Sequence, residues 1–97
     1  MALTMIVTRD VEMRYRGFLT SVMLEVSPGV YVAPDMTAAV RERVWAVMSD
    51  WWQAIGNGSL TLVWRDTAAP GKLRIETLGE PPRTIVDADG VLLVKRK

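Results

Sequence analysis

The chain has 97 residues, which is enough for one domain, and it contains neither cysteine nor histidine. This composition excludes a disulfide framework, a zinc site built from thiolates or imidazoles, and catalysis by a Ser-His or Cys-His pair. The formal net charge is only +1, so any case for nucleic-acid binding has to come from local clusters of basic residues. The hydrophobic fraction of 49% is high for so short a chain, and we expect apolar surface to be buried against a second copy.

The sequence and its composition also limit the expected cellular compartment and the kinds of metal ion that the chain could bind. No apolar run is long enough to cross a membrane, and the residues before the first charged residue are too few for a signal peptide. We therefore expect a cytoplasmic protein without a membrane partner. Any metal would need oxygen ligands, which limits the choice to Mg²⁺, Mn²⁺ or Ca²⁺.

The chain begins with a predicted strand and a predicted helix. Residues 3–8 are apolar and β-branched without strict alternation, which is typical of a buried strand. Asp10 is the predicted N-cap of a helix that ends near residue 23. Gly17 lies inside this helix, where it indicates a close approach of backbone or ligand. Four residues at helical spacing form the predicted buried stripe: Tyr15, Leu19, Val22 and Met23.

Two extended pieces and a second helix follow. Residues 24–26 and 30–33 flank a turn with proline and glycine, and Tyr31 should point to the face opposite its two valine neighbours. Thr37 is the predicted cap of a helix that ends at the glycines of residues 56–58. One face of this helix is apolar: Val40, Val44, Val47, Met48, Trp51 and Ile55.

The last third of the chain predicts a strand hairpin and a separate tail. Residues 59–65 and 72–78 both alternate, and in the second run Leu73 and Ile75 share one face. Residues 79–97 form a linker and a C-terminal strand segment, because two adjacent prolines interrupt the sheet. This tail is expected to pair outside its own sheet, on another copy of the chain. Its predicted partner-binding residues are Val91, Leu92, Leu93 and Val94.

The order of these elements predicts the fold class. A strand, a helix, two strands, a helix and a strand hairpin make an α+β protein with its helices on one face of an antiparallel sheet. The simplest arrangement is a single domain over residues 1–97 with a ferredoxin-like βαββαβ fold and an additional C-terminal strand.

The junction between the first strand and the first helix is the best candidate for a site. Arg14 and Arg16 lie just inside the helix, close to backbone N–H groups without helical partners and to the positive end of the helix dipole. Arginine presents planar forks of donors that suit phosphate, which makes this junction a candidate anion site. The alternative is that Asp10 only caps the helix and both arginines are solvated.

Six collinear blocks resemble the second CRISPR-associated protein, in its type I-E branch. They are Thr8 with Asp10-Val11, Arg14-Tyr15-Arg16-Gly17, Leu24-Glu25-Val26, Gly29-Val30-Tyr31-Val32, Val40-Arg41-Glu42-Arg43-Val44-Trp45, and Arg83-Thr84 with Asp87-Ala88-Asp89-Gly90. The resemblance implies a ferredoxin-like homodimer that bridges two dimers of the CRISPR integrase, the first CRISPR-associated protein, during spacer acquisition. Such an adaptor holds the double-stranded protospacer DNA by its phosphates without sequence preference, and it requires no cofactor. The resemblance also implies that the C-terminal segment helps to dock the integrase.

Carried over by position, the resemblance places Arg14, Arg16 and Arg83 at nucleic-acid contacts. The alternative that the family also implies is a metal-dependent endonuclease, acting on DNA or RNA with Mg²⁺ or Mn²⁺. Asp10 would then be the catalytic and metal-binding residue at the end of the first strand. The chain has Arg9 where an acidic residue is frequent, and this departure favours the adaptor over the nuclease. A third hypothesis, independent of the resemblance, is a ligand-sensing regulatory module of the same fold.

Overall fold

The computed structural model describes residues 2–80, 84–88 and 91–95 of the chain. In this described part, two α-helices and seven strands follow one another in the predicted order. The helices are α1 (Met13–Val22) and α2 (Ala38–Ile55). The strands are β1 (Ala2–Arg9), β2 (Leu24–Ser27), β3 (Val30–Met36), β4 (Ser59–Arg65), β5 (Leu73–Leu78), β6 (Thr84–Ala88) and β7 (Val91–Lys95).

The first five strands form one antiparallel sheet in the order β2-β3-β1-β4-β5. The first four of these strands and the two helices make the ferredoxin-like βαββαβ unit, and β5 extends the sheet at its β4 edge. The fold class predicted from the sequence is therefore confirmed. Strands β6 and β7 pair with each other in a separate two-stranded sheet.

The core lies between the two helices and one face of the sheet. Ile6 in β1 is the register partner of Tyr31 in β3 and of Leu62 in β4, and all three side chains are buried. Because side chains alternate along a strand, this row marks the face that the helices cover. The helices contribute buried residues to the same cluster: Tyr15, Leu19, Val44 and Met48.

Two of the predicted core positions lie at the surface. Val22 is 40% exposed at the last position of α1, whereas Met23, the C-cap residue, is buried. Val40 is also 40% exposed, because it lies in the first turn of α2 near the rim of the sheet. The rest of the predicted stripe on α2 is buried or packs against the core.

The two helices begin in different ways. Thr37 caps α2 as predicted, since its hydroxyl accepts a hydrogen bond of 3.2 Å from the backbone N–H of Val40. The helix ends at Gly56, whose φ of 71° lies in the left-handed region. The predicted N-cap of α1 is wrong. Glu12 is the capping residue, without a side-chain hydrogen bond, and Asp10 instead takes a left-handed turn with a φ of 55°.

The face of the sheet away from the helices is apolar, and it is called the open face below. Val63 is the register partner of Met5 and Ile75, so these residues share that face. The predicted alternation of β5 is confirmed, but Leu73 and Ile75 point to the open face and not towards the helices. Several side chains there or on its edge strand are more than half exposed: Leu3 at 53%, Leu24 at 62% and Val26 at 60%.

Candidate nucleic-acid interface

The end of β1 is held tightly between two loops. The backbone N–H and the hydroxyl of Thr8 both donate to the carbonyl of Gly29, at 2.7 and 3.0 Å. On the other side, a Cβ at Gly58 would lie 2.5 Å from the carbonyl oxygens of Arg9 and Asp10. Gly58 also has a φ of +75°, so only glycine fits this contact without strain. These contacts fix the end of β1, and therefore the point from which the chain continues into α1.

Asp10 lies exposed at this junction. It lines a shallow cavity of about 270 Å³ together with Thr8, Arg16 and Gly29. Its left-handed backbone is a conformation that aspartate tolerates better than most residues. Its neighbour Arg9 points to a different partner, with 3.9 Å between its guanidinium and the carboxylate of Glu80. The junction thus combines an exposed carboxylate with nearby arginines.

Arg14 is anchored on the second helix. The carbon at the centre of its guanidinium lies 5.5 Å from the centre of the Trp51 ring, within the range of a cation–π contact. Trp51 is itself fixed, because Tyr15 and Phe18 pack against it edge-on with ring centres 5.6 Å apart. Within residues 2–80, 84–88 and 91–95, Arg14 has no ion-pair partner. Its donors are therefore available to an external anion.

The phenol ring of Tyr15 packs edge-on against Trp51, the residue that Arg14 contacts. Its hydroxyl is buried and has no hydrogen-bond partner among the described residues. Burial raises the pKa of the Tyr15 phenol, and the nearby carboxylate of Glu12 adds to the effect. Tyr15 is therefore neutral at ordinary pH and serves as an apolar support for Trp51.

Arg16 is anchored on the sheet, on the other side of α1. Its Nη2 donates to the Glu25 carboxylate at 3.0 Å, and its Nε lies 3.5 Å from the hydroxyl of Tyr31. Glu25 also accepts a hydrogen bond of 3.1 Å from the backbone N–H of Gly29. The pKa of Glu25 is lowered chiefly by this N–H group and then by Arg16, so the pair stays charged at neutral pH.

The two arginines therefore flank the first half of α1 with their side chains turned in different directions. Residues two apart on a helix are separated by about 200°, and here one side chain reaches α2 while the other reaches β2 and β3. The sequence indicated the two cations from their type and position. It did not indicate Trp51, Glu25 or Tyr31 as anchors, because these residues are distant in the chain.

A family model for CRISPR-associated proteins (Cas_Cas2CT1978) matches residues 3–93. The match covers both helices, the five-stranded sheet and the junction that carries the two arginines. The chain is a Cas2-like CRISPR-associated protein.

The other predicted site residues of this Cas2-like protein are Arg83 and the segment from Val91 to Val94. Arg83 lies outside the described residues. The residues from Val91 to Val94 belong to β7, which pairs with β6 and not with the five-stranded sheet. Val91 is 59% exposed and Val94 is 49% exposed. Val94 also borders a cavity of about 260 Å³ on the open face.

A second arginine of the Cas2-like protein stacks on a tryptophan at the far end of the sheet. The guanidinium carbon of Arg41 lies 4.3 Å from the centre of the Trp64 ring. The two residues line a groove of about 350 Å³ with the half-buried Trp45 and with Glu76. Two carboxylates, those of Glu42 and Glu76, line the same groove as Arg41, and their negative charge makes it less suited to phosphate than the junction at α1.

The described residues do not fit a divalent-cation site. Among them, no group of three acidic side chains lies close enough together to hold a metal ion. Asp10 is a single exposed carboxylate beside Arg9 and Arg16, and their positive charge opposes a bound cation. In the described part of the Cas2-like chain, neither helix is sufficiently long and apolar to traverse a lipid bilayer.

Proposed function

We propose that this Cas2-like protein is the homodimeric DNA-binding adaptor of a type I-E CRISPR system. In this role it holds protospacer DNA and bridges two integrase dimers during spacer acquisition. The observation that carries the proposal is the pair of separately anchored arginines, Arg14 and Arg16, on the exposed first half of α1.

Anchored arginines suit the recognition of a phosphate backbone. Contact with Trp51 or Glu25 orients each guanidinium before DNA arrives, so little conformational freedom is lost on binding. Phosphate contacts position a duplex and carry no sequence information. An adaptor that captures foreign DNA of any sequence requires contacts of this kind.

The open face supports the proposed homodimer. The ferredoxin-like unit leaves this apolar face without helices, and Leu3 and Leu24 are each more than half exposed on it. Exposed apolar side chains grouped on one face are typical of an interface between proteins. A two-fold interface would cover the face on both copies and present the arginine pair twice.

The C-terminal strand is the proposed docking segment for the integrase. Strand β7 lies outside the five-stranded sheet and exposes Val91 and Val94. An apolar strand of a two-stranded sheet has a free edge that another chain can extend.

The nuclease alternative has no comparable support. Asp10 is the only residue that the sequence offered for metal binding, and the described residues around it do not form a cation site. The adaptor requires no hydrolysis, so the lack of fit at Asp10 does not count against it.

Reconstitution with the integrase encoded beside this chain tests the proposal. We expect the two proteins to co-purify and half-site integration of a duplex protospacer to depend on this chain. Light scattering should give the mass of a dimer at micromolar protein, and unrelated duplex sequences should bind equally well. Integration that is equally efficient without this chain would refute the adaptor role, and a monomer mass would refute the dimer.

A further inference from the structure

The guanidinium of Arg16 has one occupied edge and one free edge. Its Nε and Nη2 atoms form one edge of the planar group, and they face the Tyr31 hydroxyl and the Glu25 carboxylate. Nη1 makes no hydrogen bond to any residue in the described part of the chain. The side chain of Arg16 is 42% exposed, and it lines the shallow cavity at the junction together with Asp10. Arginine can hold a carboxylate on one edge and a phosphate on the other.

The groups that occupy the first edge are themselves fixed. Glu25 and Tyr31 are register partners on β2 and β3, and Tyr31 is fully buried in the core. The backbone N–H of Gly29 donates at 3.1 Å to Oε2 of Glu25, the same oxygen that accepts from Arg16. The position of the Arg16 guanidinium is thus set by the sheet and not by the flexible part of its own side chain.

We propose that Glu25 and Tyr31 are positioning residues that orient the free edge of Arg16 towards a DNA phosphate. This inference rests on the proposed DNA-binding function. The proposed role has an unusual consequence, because the Glu25 carboxylate then strengthens the binding of DNA, which is itself a polyanion. A carboxylate that merely lies near the DNA would repel it, and its removal would tighten binding.

The chain contains a matched control for this carboxylate. Asp66 pairs with Arg74 at 3.0 Å, and its side chain is 30% exposed, as is that of Glu25. Asp66 also accepts a backbone hydrogen bond, from Ala68 at 2.9 Å. It follows the last residue of β4, at the end of the sheet opposite the junction with α1. Glu25→Gln and Asp66→Asn therefore remove the same charge from similar surroundings, and only the first of them affects Arg16.

The test is equilibrium binding of a fluorescent duplex by the full-length protein at fixed salt. We expect Glu25→Gln to weaken binding by about 2–12-fold for each Arg16 side chain that it frees, which is about 5–150-fold when both subunits of the proposed dimer contact the duplex. Asp66→Asn should bind as tightly as the wild type or more tightly. In an Arg16→Ala background, Glu25→Gln should no longer weaken binding, because the effect of Glu25 acts through that arginine.

Tyr31→Phe keeps the buried ring and removes the hydroxyl. This variant should also weaken binding.

The outcomes separate the inference from the function on which it rests. Tighter binding by Glu25→Gln, to the same extent as by Asp66→Asn, would overturn the positioning role while duplex binding by the wild type stands. A Glu25→Gln effect that persists in the Arg16→Ala background would also overturn it. A wild-type protein that binds no duplex would remove both the inference and the proposed DNA-binding function.

Discussion

Replacement of both arginines by alanine gives the sharpest test of the DNA-binding surface. Arg14 and Arg16 have different anchors, on Trp51 and on Glu25, and their side chains leave α1 in different directions. We therefore expect each guanidinium to contact a phosphate of its own. The double variant Arg14→Ala/Arg16→Ala removes both groups from each subunit of the proposed dimer.

The expected magnitude follows from the number of lost contacts. Each phosphate contact contributes about 0.9 to the slope of log affinity against log salt, through the release of counterions. Two arginines on each of two subunits account for up to four contacts. The slope of the double variant should therefore be shallower by roughly 2–4 units, and each single substitution should account for about half of the change.

The assay is fluorescence anisotropy of a labelled duplex over a series of salt concentrations, repeated with an unrelated sequence. Affinity should fall equally for both sequences, while the dimer mass stays unchanged. The control is Arg43→Ala/Arg74→Ala, which removes the same charge from two exposed residues outside α1. An unchanged slope in Arg14→Ala/Arg16→Ala, or an equal change in the control, would refute the assignment of these two arginines to the DNA site.

Three further predictions follow from the conformation and charge of single residues. Because the backbone of Asp10 is in the left-handed region, Asp10→Ala should lower the free energy of unfolding by about 1–2 kcal/mol, and Asp10→Asn should lower it by less. Integration should be unchanged in both variants; loss of integration by a folded variant would revive the nuclease hypothesis. A Cβ at Gly17 meets nothing within 4 Å, so Gly17→Ala should raise the free energy of unfolding in urea by up to about 1 kcal/mol; a loss of stability would contradict this. Hydrogen bonds lower the pKa of Glu25 below its ordinary value of 4.5 and the pKa of Asp66 below its ordinary value of 3.8. Each ionised carboxylate therefore stabilises the fold at a pH above its ordinary pKa, and this stabilisation is lost as the pH falls through the lowered pKa. The urea midpoint should therefore fall with acidification below about pH 5, and less steeply in Glu25→Gln/Asp66→Asn; equal slopes would contradict this.

Elements with local signals were predicted well from the sequence. For α2, the apolar spacing, the capping Thr37 and the left-handed Gly56 all act within a few residues, so the sequence contains the whole signal. The prediction failed at Asp10, because aspartate suits both an N-cap and a left-handed turn. The close packing of Gly58 against β1 determines which of these occurs, and that contact joins distant parts of the chain.

The face of β5 could not be predicted for a related reason. Alternation shows that Leu73 and Ile75 share a face, but either face of a sheet can be the apolar one. Register with Val63 places them on the open face, away from the helices. Gly17 was expected to permit a close approach, yet no atom outside its own neighbourhood lies within 4 Å of the position of its Cβ.

The cations of the candidate site were predictable, whereas their surroundings were not. Arg14 and Arg16 follow a strand end and begin a helix, and this local pattern suggests an anion site. Their anchors come from α2 and from the β2–β3 pair, so the helix packing and the strand register determine them. A single sequence contains no local signal for such contacts.

The proposed dimer would tie the stability of the fold to the amount of protein present, through the open face. In the proposed dimer, a chain that dissociates exposes Leu3, Leu24 and their neighbours to water, so folding and association form one coupled equilibrium. By mass action, dilution then favours the unfolded chain, and newly made copies gain full stability only when they meet one another. Until then, the same apolar strands are available for unwanted aggregation. For such a dimer, expression level is part of what keeps the protein folded.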